Sequence, residues 1–126
     1  MFLLVAVVVL LLAGCAGPPV PEPPAPRHVT LHDLVVESVP ADTGFWARTS
    51  DGDRVWVTLV LPERAPMPVQ EGERLDVTGV VVRHGPGFAA RAGVTAAWDV
   101  ELLTRQGSHV RVEQADVRVV PGARRA

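Results

Sequence analysis

One cysteine, four histidines and a group of aromatic and arginine side chains carry most of the chemistry this chain could perform. Cys15 is the only thiol, which excludes an internal disulfide, a cysteine-rich metal cluster and a dithiol redox centre. His28 and His32 are four apart with Asp33 adjacent, a spacing that brings two metal ligands together on a helix. In an extended strand the same spacing separates them by about 13 Å, too far to share one ion. His84 and His109 fall at the ends of expected strands, where they read as solvated and without mates. Asp51 and Asp53 resemble a fragment of a calcium loop, but the pattern stops after Gly52 and a hairpin accounts for both. Ser38, Ser50 and Ser108 lack a nucleophile-elbow context, and neither a paired-carboxylate motif nor a phosphate-cradling glycine loop occurs. These residues imply no metal, no cofactor and no enzyme.

The remaining candidates are Phe45, Arg48, Arg54 and Trp56, and their meaning depends on the strands that hold them. Arg54 to Leu61 is β-branched and aromatic and stops at Pro62. Leu75 to Val82 follows Glu71-Gly72-Glu73-Arg74 and alternates apolar with polar over its first half. Phe45 to Thr49 is a shorter strand, joined to the first of these runs through Ser50-Asp51-Gly52-Asp53, a hairpin signal. With Asp51-Gly52 at the tip, Ala47 lies opposite Trp56 and Trp46 opposite Val57. That register sends Trp46, Val55, Val57 and Leu59 to the interior, and Phe45, Ala47, Trp56 and Thr58 to the outside. Phe45 and Trp56, flanked by Arg48 and Arg54, then either pack beneath another element or form a face that could stack bases or sugars.

Further along the chain, Val29 to Val39 reads as the first strand, with Leu34 and Val36 on one face and a bulge at His32-Asp33. Pro66 and Pro68 make Glu63 to Arg74 a loop without helix. Arg83-His84-Gly85-Pro86-Gly87 ends the fourth strand. Between Ala92 and Gly107, Val94, Trp98 and Leu102 recur at spacing four with Ala97 beside them, which favours a short amphipathic helix; a strand from Ala97 to Leu103 is the alternative. Val110 to Val112 and Ala115 to Val119 make one closing strand with a bulge between them.

The chain of 126 residues holds one domain, of a size that folds without disulfides or metal. Its net charge of −2 offers no field to attract nucleic acid, and a monomer is expected. All twelve basic residues are Arg, while Lys, Asn, Ile and Tyr are absent, as in a GC-rich bacterial genome.

Phe2 to Ala13 is apolar throughout, too short to span a bilayer at roughly 20 residues but suited to an export signal, although no basic residue precedes it. Leu12-Ala13-Gly14-Cys15 resembles a bacterial lipobox: a branched apolar residue, two small ones and the thiol that receives a diacylglycerol. The resemblance implies cleavage before Cys15 and lipidation there, with Ala16 in place of the Asp of inner-membrane retention. The expected location is therefore the cell envelope, in the outer membrane where the cell has two. Pro18 to Pro26 favours polyproline II, and the tether from Ala16 to Arg27 could reach on the order of 35 Å at about 3.1 Å per residue. The expected layout is a signal peptide over 1–14, lipidated Cys and tether over 15–27, a β-domain over 28–121 and a frayed tail over 122–126.

The Gly44-Phe45-Trp46 second strand, the Val55-Trp56-Val57-Thr58 third strand and the run from Glu71 to Val81 together resemble a bacterial OB-fold domain, over about Val29 to Val120. The resemblance implies a mainly β fold: a small five-stranded barrel with one short helix, in which Gly79 lets the fourth strand coil. The helix falls between the fourth and fifth strands, whereas the commonest version has it between the third and fourth. The expected role is a non-enzymatic lipoprotein serving as an interaction or accessory module for an envelope component. The alternative is a ligand-binding module whose face around Phe45 and Trp56, with Arg48 and Arg54, takes a glycan, oligonucleotide or small amphiphile.

Overall fold

The computed structural model describes residues 26–121, so the expected signal segment, Cys15, nearly all of the expected tether and the basic tail lie outside the described residues. Six strands follow one another as β1 (Arg27–Ser38), β2 (Gly44–Arg48), β3 (Arg54–Val60), β4 (Arg74–Arg83), β5 (Ser108–Glu113) and β6 (Val117–Val119). Two helices, α1 (Phe88–Arg91) and α2 (Ala97–Gln106), stand between β4 and β5. Strands β1, β2 and β3 pair antiparallel in sequence, β5 lies parallel to β3 and antiparallel to β4, and β4 returns to β1. The circuit β1-β2-β3-β5-β4-β1 closes a five-stranded OB-like barrel, and β6 adds an extra strand on β4.

Local chemistry explains how β1 serves both halves of the barrel. Its register against β4 shifts between Leu31 and Leu34, where Asp33 adopts φ 57°, and this is the bulge expected at His32-Asp33. Asp tolerates the left-handed region better than most residues. The Asp33 N–H donates to Asp76 Oδ1 at 3.1 Å, and Arg118 Nη2 on β6 donates to Asp76 Oδ2 at 2.7 Å. These two bonds hold the Asp76 carboxyl below the usual carboxylate range, Arg118 contributing most. One carboxylate thus ties the bulge, β4 and β6 together.

On β4, Gly79 is required by contact: a Cβ there would lie 2.4 Å from the Arg111 carbonyl oxygen and 2.7 Å from a Val112 methyl. Leu75 and Val77 on β4 join Leu34, Val36, Val57, Leu59, Val110 and Val112 in the barrel core.

Three expectations need correction. First, β2 sits one residue out of the expected register on β3, pairing Trp46 with Trp56, Ala47 with Val55 and Phe45 with Val57. The cause is the turn. Thr49 N–H donates to Asp53 O, Gly52 N–H donates to Thr49 O, and Gly52 takes φ 89°, so the loop holds three residues with Gly last. A slip of one residue reverses every side chain on β2. Phe45 and Ala47 therefore enter the barrel, and Trp46 faces outward beside Trp56.

Second, the closing segment is two strands: the turn Gln114–Asp116 separates β5, which pairs with β3 and β4, from β6, which pairs with β4 alone. Third, the connection from β4 to β5 is helical as expected, but α1 rises directly after the Gly85-Pro86-Gly87 turn, and α2 buries Leu103 rather than Trp98. Trp98 is 68% exposed. Helix α2 ends where Gly107 adopts φ 68° and its N–H returns to Leu103 O.

Candidate functional site

The outer face of β2 and β3, where an OB-like barrel usually meets its ligands, is covered here by the chain itself. Trp46 and Trp56 meet edge to face at 5.3 Å and 80°, and Ala89, Val94 and Leu103 from the β4–β5 connection close over them as a second core. The Trp56 Nε1–H donates to Thr58 Oγ1 at 3.1 Å. Gly44 floors the pair, since a Cβ there would come within 2.4 Å of the Trp56 ring.

Of the four residues expected on a binding face, the structure separates two from solvent altogether. Phe45 is 0% exposed inside the barrel and Trp56 is 0% exposed beneath the helices, so neither ring is presented to a ligand. Arg48 lies at the rim, donating Nη1–H to Gly52 O at 2.8 Å and placing Nη2 3.0 Å from Glu37 Oε2.

Arg54 has the richest environment. Its guanidinium carbon sits 4.4 Å from the Trp46 ring centre and 5.2 Å from that of Trp98, so two indoles sandwich it. Glu37 Oε1 approaches its Nε at 3.0 Å and Asp99 Oδ1 its Nη2 at 3.6 Å. These are charge contacts more than aligned hydrogen bonds: Arg54 Nε and Nη1, Glu37 Oε2, Asp99 Oδ1 and Trp46 Nε1 are all buried without a hydrogen-bond partner among the described residues. Gln106 Nε2 donates to Arg54 O at 2.9 Å, so the same residue anchors both ends of α2, Asp99 in its first turn and Gln106 in its last. Arg54 is therefore best described as the clamp that docks α2 on the β2–β3 hairpin.

The histidines divide into two kinds. His28 and His32 are exposed on β1, and His32 Nδ1 lies 3.5 Å from Asp76 Oδ1. Among the described residues no group of three or more His, Cys, Asp or Glu side chains converges as a metal site. His84 and His109, read from sequence as solvated and unmated, are instead mates. Their Nδ1 atoms are 2.9 Å apart, and His84 Nε2 lies 2.8 Å from Leu103 O. Phe88 stacks on both rings, 4.4 Å from His84 and 4.3 Å from His109. His109 is 6% exposed, and burial, the neighbouring His84 and then Arg111 push its pKa down to about 4. A signal for this pair existed in the sequence: the two residues bracket the β4–β5 connection, and antiparallel strands joined there must bring its two roots together.

A cleft of about 640 Å³ lies between the 39–43 and 61–67 loops. Its walls are largely Pro and apolar side chains, its charges are Asp42, Glu63 and Arg64, and Arg64 holds φ 63° in the turn closed by Ala65 N–H to Pro62 O. No acid–base pair or ligand set converges there among the described residues. Compared with known protein families, curated proteins and solved structures, the chain finds no match.

Proposed function

We propose that this chain is a lipid-anchored lipoprotein of the bacterial cell envelope whose barrel serves as a non-enzymatic interaction or accessory module. The observation that carries the reading is Leu12-Ala13-Gly14-Cys15: the sole thiol of the chain follows an apolar run of export-signal length and two small residues. The proline-rich stretch before β1 supplies a spacer between anchor and barrel. Two or three acyl chains at one terminus hold a protein durably at a bilayer, whereas one chain does so only marginally. Ala16 in place of Asp favours the outer membrane in a cell with two. The rival reading, a ligand face at Phe45 and Trp56, loses support because both rings are buried.

The test is intact-mass measurement of membrane-extracted protein, with metabolic fatty-acid labelling of wild type and Cys15→Ser. The expected result is loss of residues 1–14, a mass gain of a diacylglyceryl group with or without a third acyl chain, and release of the Cys15→Ser variant from membranes. An unmodified full-length chain, or a Cys15→Ser variant that fractionates as wild type does, would refute the anchoring.

A further inference from the structure

The connection between β4 and β5 covers the Trp46–Trp56 face, held along its length by the Arg54 clamp and its buried apolar residues and joined at its roots by His84 and His109. Arg83 pairs with Ser108 and Val82 with His109 at the last rungs of the β4–β5 ladder. His84 follows the last rung on β4 and His109 lies one rung inside the return on β5, and the two rings are joined Nδ1 to Nδ1 under Phe88, the first residue of α1. From this geometry we infer that His84 and His109 form an acid-sensitive latch: double protonation breaks their bond and raises the population in which the 84–107 segment opens from the barrel while the barrel itself stays folded.

The proton inventory makes the pair directional. With Leu103 O fixed as acceptor, His84 carries its proton on Nε2 and accepts at Nδ1 from a His109 protonated on Nδ1. One added proton is tolerated, because a doubly protonated His84 donates from Nδ1 to a His109 that holds its own proton on Nε2. A second puts N–H against N–H across 2.9 Å and sets two like charges in a largely buried stack. The groups facing the pair give no relief. Helix α1 contributes the Phe88 ring and α2 the Leu103 carbonyl, while the charged neighbours acting on His109 are His84 and, along β5, Arg111; among the described residues no carboxylate acts on it.

The sign follows from linkage. His109 binds its proton less readily when latched than when released, so the latch is intact above the ordinary histidine range and weakens as pH falls from about 6.5 toward about 4. A difference of that size raises the released population on the order of 30-fold at pH 5 relative to pH 7.5.

Hydrogen exchange by mass spectrometry on the full-length chain, corrected for intrinsic rates and run from pH 7.5 to 4, tests this. Peptides from the 84–107 segment are expected to lose protection on the order of 30-fold by pH 5 while β1 and β4 peptides keep theirs. His109→Gln retains a neutral hydrogen-bonding side chain, and His109→Phe retains a flat ring against Phe88; in whichever folds, that acid-dependent loss should vanish. Loss of protection in the barrel at the same pH, an unchanged segment down to pH 4, or a variant that tracks wild type would each overturn the latch. The inference holds whether or not Cys15 is acylated.

Discussion

Replacing Trp56 by Ala separates a covering role for the β4–β5 connection from a ligand face, because the two readings put the cost in different places. Trp56 is 0% exposed and fills the space between Gly44, Trp46 and the helices. An indole buries about 200 Å², which at about 25 cal/mol/Å² gives ~5 kcal/mol. A compact denatured state trims that figure by roughly 10–40%, to about 3–4.5 kcal/mol. The expected loss is therefore about 3–5 kcal/mol, as in other large-to-small core changes. Trp98 is the internal control: the same residue type, 68% exposed, held mainly by its stack on Arg54. Truncating it should cost about 1 kcal/mol or less, the value of an exposed cation–π contact. Urea titrations followed by far-UV circular dichroism below about 220 nm read both, since the backbone signal there reports unfolding in each variant. With a slope of about 1.5 kcal/mol/M, the Trp56→Ala midpoint should fall by about 2–3 M and that of Trp98→Ala by well under 1 M. Equal shifts, or a Trp56→Ala loss below about 1 kcal/mol, would show that the helices do not seal this face.

Gly79→Ala should cost about 2 kcal/mol or more in the same titration, because the new methyl meets the Arg111 carbonyl at 2.4 Å and no side-chain rotation relieves a backbone clash; a loss under 0.5 kcal/mol would mean β4 and β5 are not so closely apposed. Asp76→Asn bears on acid stability. A carboxyl depressed in the folded state stabilises above its ordinary pKa of 3.8 and loses that contribution as pH falls below it, so wild type should weaken there and the variant should not. This window lies below that of His109, which allows thermal melts between pH 2.5 and 7 to resolve the two.

Sequence period and turn chemistry determined much of this protein. β-branched runs bounded by Pro and Gly located four strands, the broken alternation at His32-Asp33 marked the bulge, and Gly79 marked the strand that must coil against its neighbour. Spacing in the 92–107 stretch, with Gly107 after it, placed a helix between the fourth and fifth strands, where α2 stands. What alternation leaves open is absolute register. Either hairpin loop was compatible with Ser50-Asp51-Gly52-Asp53, and the choice of the three-residue form turned Phe45 inward and Trp46 outward. Contacts across long separations were equally closed to a reading by neighbourhood. His84 and His109 meet only because β4 and β5 run antiparallel, and Arg54 lies between Trp46 and Trp98 only because α2 folds back over the hairpin. Local rules fix which residues form an element and which alternate residues share a side. The mutual closure of the barrel and the path of its β4–β5 connection decide what each side faces.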